Sequence, residues 1–151
     1  MREILFRGKS LHTDEWVFGY FRKAVHPQQT DVVFLIYSQH TKEYIYPEYV
    51  YSETVSQSTG IKDKNGATIF EGDILYTPAK VPAVVKFGEY IDVNMSASCK
   101  CGHVGFYVSH TGECGDYYRN DLVYWAHNSA VIGNIYDNPG LIGQTEEKDN
   151  D

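Results

Sequence analysis

The sequence predicts an all-β protein, and three observations carry that prediction. Aromatic residues make up 15% of the chain, with thirteen Tyr and seven Phe, side chains that suit pleated, half-buried surfaces better than long helices. Apolar runs are short and are separated by Gly, Asn, Asp and Pro turn signals. No stretch holds apolar residues at i, i+3, i+4 and i+7, so at most one helical turn is expected, around Tyr117 to Asp121. A chain of 151 residues has the length of one domain, or of two small subdomains sharing a core.

Taken in order, "EILFRGK" and "EWVFGYFRK" are β-rich runs separated by the turn-forming "SLHTD", which predicts a hairpin or meander. "DVVFLIYS" is a third strand, and "TKEYIYPEYVYSETV" continues in the same manner. Pro47 lacks a ladder donor and places an edge or a break there. Near residue 58 the texture changes. Short strands "IFEGDILY", "PAVVKFG", "GFYVSH", "LVYWA" and "AVIGNIY" follow, spaced by Gly and Asn as in a small sandwich or barrel. No flexible linker intervenes, so the organisation read here is two packed subdomains, residues 1–57 and 58–143. The remaining residues, 144–151, are polar and charged and are expected to be a disordered acidic tail.

The formal charge is −7 with a pI near 5.3, and Lys and Arg form no cluster beyond pairs such as Arg22-Lys23. Attraction to phosphate backbones is therefore weak, which counts against a nucleic-acid partner. The opening "MREILFRGKSLHTDEW" has no apolar signal core and no run approaches a membrane span. Three Cys cannot all pair within one chain, which fits a reducing compartment. These features predict a cytoplasmic protein with no membrane partner.

Two acidic clusters flank an Asn-Gly pair in "TGIKDKNGATIFEGDIL", residues 59–75. A calcium loop of the EF-hand type needs its glycine at position six and a Glu at twelve; counting from Asp63, Gly66 falls at position four and Glu71 at nine. Asn65-Gly66 reads instead as a hairpin turn, since both residues tolerate positive φ. On an extended strand, Glu71 and Asp73 would share a face and could perform acid–base chemistry. In a tight bend, Gly72 would supply the backbone freedom and Asp73 would accept neighbouring N–H groups. The bend is the preferred reading. In "AVIGNIYDNPGLIG", Val131, Gly133 and Ile135 alternate with Ile132, Asn134 and Tyr136, as in a strand covered on both sides and stopped by Asp137-Asn138-Pro139-Gly140.

That segment, with "VVKFGEY" and the closing "VIGNIYDNPGLIG", resembles the YopX family of phage and prophage proteins. Its members share T-G-x-x-D-x-x-G-x-x-I-x-E-G-D-I and a terminal V-I-G-N-I-Y-x-N-P-x-L. The opening "FRGKSLHTDEWVFGYF" resembles the same family. The resemblance implies an extended N-terminal β-meander packed on a C-terminal SH3-like small barrel, in a protein of the bacterial host cytoplasm with unassigned activity. It carries over no catalytic residue. The motif positions Gly60, Asp63, Gly66, Glu71, Gly72, Asp73, Gly133, Asn134 and Pro139 are of types that make a fold signature.

One further cluster has metal-ligand chemistry. Cys99, Cys101 and His103 recur at period two, and Cys114 could return as the fourth ligand of a Cys₃His zinc site. Zinc cysteines are usually two to four residues apart in a knuckle, so C-x-C favours reduced free thiols and no cofactor. His110 and His127 read as loop or surface histidines. Two functions follow. The preferred one is a non-enzymatic accessory protein that binds another protein, or its own copies, through aromatic surface or sheet edges. The alternative is a metal-binding protein or enzyme using Cys99, Cys101, His103 and Cys114, or Glu71 and Asp73.

Overall fold

A computed structural model describes residues 3–26, 28, 31–38, 47–78, 80–91, 102–111 and 119–142. The chain divides into two units, Met1–Gly60 and Ile61–Asp151. Both are built of antiparallel strands.

In the N-terminal unit, β1 (Phe6–Lys9), β2 (Trp16–Val25), β3 (Val32–Ser38) and β4 (Pro47–Tyr49) lie in the order β4-β3-β2-β1. The β5 strand (Ser56–Lys62) lies on the other side of β1 and runs through the division into the second unit. This is the meander expected from the turn-separated runs. Period-two alternation on β2 turns Phe21 to one face, where its ring lies 5.3 Å from Phe6 and 5.8 Å from Phe34. Ile36 on the same face of β3 is fully buried. Pro47 opens β4 at the end of this order, as its missing donor requires. The corner then curls: Val50 donates to Phe34 O at 3.0 Å, Leu11 to Tyr49 O at 2.8 Å and Tyr51 to Lys9 O at 3.0 Å. Residues 49–51 thus join the end of β3 to the end of β1.

The second unit holds β6 (Thr68–Phe70), β7 (Asp73–Tyr76), β8 (Pro82–Ile91), β9 (Gly102–His110), the helix α1 (Leu122–Ala126) and β10 (Ala130–Asn134). Its four-stranded sheet has the order β10-β7-β8-β9. Ile69, Leu75, Ala83, Val85, Val108, Leu122, Trp125 and Ala126 form one buried apolar cluster. Each large side chain in it contributes about 1.5–3 kcal/mol of transfer free energy.

Four expectations are corrected. "LVYWA" is a helix, not a strand: Asp121 caps it by accepting from Val123 N at 2.9 Å, and Leu122, Trp125 and Ala126 put an i, i+3, i+4 stripe into the core. The expected helical turn at Tyr117–Asp121 therefore begins one residue beyond that span, while Tyr117 and Tyr118 lie outside the described residues. "IFEGDILY" is two strands broken at Glu71-Gly72. His110 is buried in β9 with its ring 5.1 Å from Trp125, because the strand's inward face continues to its last residue; His127 is exposed at the end of α1, as expected. Finally, β10 is an edge strand with a register shift between Val131 and Gly133, and Ile132 is 41% exposed, so it is not covered on both sides. The expected tail, residues 144–151, lies outside the described residues.

Candidate functional site

The acidic motif converges on backbone donors. Asp63 directly follows β5, and its Oδ1 accepts from Asn65 N at 2.8 Å and Ala67 N at 2.9 Å. Its Oδ2 accepts from Val131 N at 3.0 Å, sixty-eight residues away in sequence. Burial pushes the Asp63 carboxyl up, but the N–H groups of Val131, Ala67, Asn65 and Gly66 together hold it below its ordinary 3.8. The turn is a three-residue loop: Gly66 N donates to Asp63 O at 3.0 Å and Asp63 N to Ala67 O at 2.8 Å. The hairpin turn expected at Asn65-Gly66 is there, and of the pair only Gly66 uses positive φ, at 83°.

Glu71 and Asp73 do not share a strand face. Glu71 and Gly72 form the bend between β6 and β7, with Gly72 at φ 81°. Asp73, 1% exposed, accepts from Phe70 N at 2.8 Å across that bend. Burial raises the Glu71 carboxyl above its ordinary 4.5. Gly72 N donates to Val85 O at 2.8 Å and Ile135 N to Gly72 O at 2.9 Å, so the bend ties β8 to the end of β10.

Asn134 closes the second motif. Its Oδ1 accepts from Tyr136 N at 3.0 Å and Asp137 N at 2.9 Å, and its Nδ2 donates to Asp137 Oδ2 at 3.0 Å. Asn138 Oδ1 accepts from Asn134 N at 3.3 Å. A Cβ on Gly133 would lie 2.4 Å from that same Asn138 oxygen. Pro139 starts a 3-10 turn, Pro139–Ile142, and Gly60 sits exposed in β5. The structure thus brings Asp63 to β10 and Gly72 to residue 135, and the Asp63, Asp73 and Asn134 side chains each serve a turn or a strand end.

Among the described residues no group of three or more His, Cys, Asp or Glu is placed to hold a metal ion. Cys99, Cys101 and Cys114 lie outside those residues. Their proposed companion His103 lies in β9, stacked on Tyr90 with ring centres 5.3 Å apart.

His103 leads to a feature that sequence reasoning missed. Strand β7 pairs with β8 only from Pro82 to Val84, whereas β8 and β9 remain paired from Ala83–His110 to Ile91–Gly102. Among the described residues the distal part pairs only β8 with β9, and residues 119–121 lie against it: Asn120 O accepts from Val108 N at 2.9 Å and Asn120 Nδ2 donates to Ile91 O at 3.2 Å. One face carries Phe87, Phe106, Val104 and Ile91, with Glu89 among them; Phe87 and Phe106 meet edge to face at 5.1 Å. The other carries Tyr90 stacked on both His103 and Tyr107, each 5.3 Å away. The facing Gly88–Gly105 pair lies between them, bare backbone that aromatic rings can cover. A hollow of about 710 Å³ lies at the ribbon's end, lined by Glu89, Tyr90, Ile91, Gly102, His103, Val104 and Asn120.

Comparison with known proteins gives a family match and a similarity to a solved structure. The YopX protein family matches residues 5–143. No curated protein matches the chain. Protein EF1440 from Enterococcus faecalis, known from a crystal structure, is similar at 22% identity with a TM-score of 0.39, over 94% of this chain and 99% of that one.

Proposed function

The chain belongs to the YopX family, and on that premise we propose that it is a non-enzymatic, protein-binding accessory module of a phage or prophage, working in the host cytoplasm. One observation carries the reading: beyond the end of β7, the paired β8 and β9 strands have Phe87 56%, Ile91 50% and Val104 71% exposed on one face, and the Tyr90–His103–Tyr107 array on the other. A two-stranded ribbon is marginally stable in isolation, and rigid aromatic side chains are the groups that carry binding energy at interfaces. The motif residues agree, because Asp63, Asp73 and Asn134 are engaged with backbone groups. The SH3-like description of residues 58–143 belongs to the same proposal, supported by the antiparallel order β10-β7-β8-β9.

The test is capture from host cells before and after phage or prophage induction, using immobilised parent and a Tyr90→Ala/Tyr107→Ala variant that melts like it. A protein retained by the parent and lost by the variant supports the reading. A bound set that the variant leaves unchanged refutes the ribbon as the site.

A further inference from the structure

We infer that the outer edge of β8, beyond the end of β7, accepts an extended segment of a partner protein as an added strand. This rests on the paired ends of β8 and β9 being the binding element and assigns its mode. In an antiparallel sheet the backbone groups of successive residues point alternately to the two sides of a strand. Pro82 O accepts from Thr111 N on the β9 side, and Val85 O accepts from Gly72 N on the β7 side. The β8–β9 register runs unbroken from Ala83–His110 to Ile91–Gly102, so the alternation holds along the strand. Gly88 and Tyr90 therefore face β9, whereas Phe87, Glu89 and Ile91 face the side where β7 pairing stops at Val84. Among the described residues the N–H and C=O groups of Phe87 and Glu89 meet no strand there.

Ile91 O shows what fits this edge. It accepts from Asn120 Nδ2 at 3.2 Å, an amide N–H donating where a neighbouring strand would donate. That contact bounds the edge at one end and β7 bounds it at the other, leaving about five residues, or roughly 17 Å, of open strand. A hollow of about 710 Å³ stands against Glu89–Ile91 and Asn120, within the range of pockets that enclose a ligand. Main-chain hydrogen bonds would hold an added strand, and the side chains beside it would select its sequence. On one face the neighbours are Phe87 and Glu89, both exposed. An apolar residue suits the first and Lys or Arg the second, and the chain's charge of −7 draws in a basic segment while repelling a second copy. The segment is thus extended, with an apolar and a basic residue two positions apart.

Amide hydrogen exchange of the full chain, followed by NMR, tests the edge. In the free chain Phe87 and Glu89 exchange at least about tenfold faster than Gly88 and Tyr90; equal protection means that the edge is already covered and overturns the inference. The binding probe is a random library of synthetic peptides of about ten residues, selected on the immobilised chain. Retained peptides carry the apolar–basic pair and protect the Phe87 and Glu89 amides. Methylating the peptide's backbone N–H groups one at a time abolishes binding at alternate positions only. Glu89→Lys, at an exposed site, binds the same peptides about tenfold more weakly at low salt. The inference falls if no peptide is retained, if Glu89→Lys binds them equally, or if protection rises with the chain's own concentration without peptide. Peptides that leave these amides exchanging as in the free chain, yet are lost with Tyr90→Ala/Tyr107→Ala, overturn the added strand and leave the proposed function standing.

Discussion

Asp63→Ala removes one side chain and strands three backbone donors, those of Asn65, Ala67 and Val131, now held at 2.8, 2.9 and 3.0 Å. The two turn donors can recover water, and their loss costs about 1 kcal/mol together; Val131 N, on the strand ladder, costs about 1–3 kcal/mol when unpaired. The expected loss is therefore about 2–4 kcal/mol, against a total stability on the order of 5–15 kcal/mol. Asp63→Asn keeps the oxygen for the turn but opposes an amide N–H₂ to Val131 N–H, and should lose about half as much. The pH dependence identifies the charge. Asp63 has a folded pKa below its ordinary 3.8, so its contribution is complete above that value and is lost as pH falls through the lower folded value. Urea unfolding at pH 7 and near pH 3 measures this: at pH 7 the midpoint falls with an unchanged slope, and the parent-to-Asn gap narrows at the lower pH. A loss below about 0.5 kcal/mol for Asp63→Ala, the range of an ordinary surface change, would refute the clamp between the hairpin turn and β10.

Asp73→Ala should cost about 1–3 kcal/mol by stranding Phe70 N. Asp73→Asn, which retains an acceptor, should be milder in the same melts; equal losses would remove the capping role. Gly133→Ala places a Cβ against Asn138 Oδ1 at 2.4 Å and should cost about 1–3 kcal/mol, whereas parent-like stability would mean that the Asn138 cap yields freely. Burial holds His110 below its ordinary 6.5, so the neutral ring's contribution is complete above pH 6.5 and is lost as pH falls through the lower folded value. Urea midpoints from pH 7 to 5 should fall with a slope of at most about 1.4 kcal/mol per pH unit, and His110→Phe should flatten that profile. An unchanged profile would exonerate His110.

Local chemistry made much of this fold legible. Alternation and turn residues mark β1 to β3, and Asp63, Gly66 and the Glu71-Gly72 bend fall where backbone rules put them. The helix α1 was hidden because Val123, Tyr124 and Trp125 all favour strands; its stripe of Leu122, Trp125 and Ala126 spans only five residues, too short for periodicity to outweigh propensity. The one signal that could have revealed it is Asp121, an N-cap directly before that stripe. Asp63 reaching Val131 is a tertiary fact with no local signature. The ribbon shows the limit most sharply. Alternation assigns Val85, Phe87 and Glu89 to one face, yet Val85 is fully buried and Phe87 is 56% exposed. What changes between them is the end of β7, whose pairing stops at Val84. The residue that ends the core therefore lies on a different strand from the residues it exposes, and a pattern read along β8 alone carries no trace of it. An apolar pattern continuing past the end of the strand beside it can run from a buried core into an exposed stretch, and the structure separates the two by showing where the neighbouring strand stops.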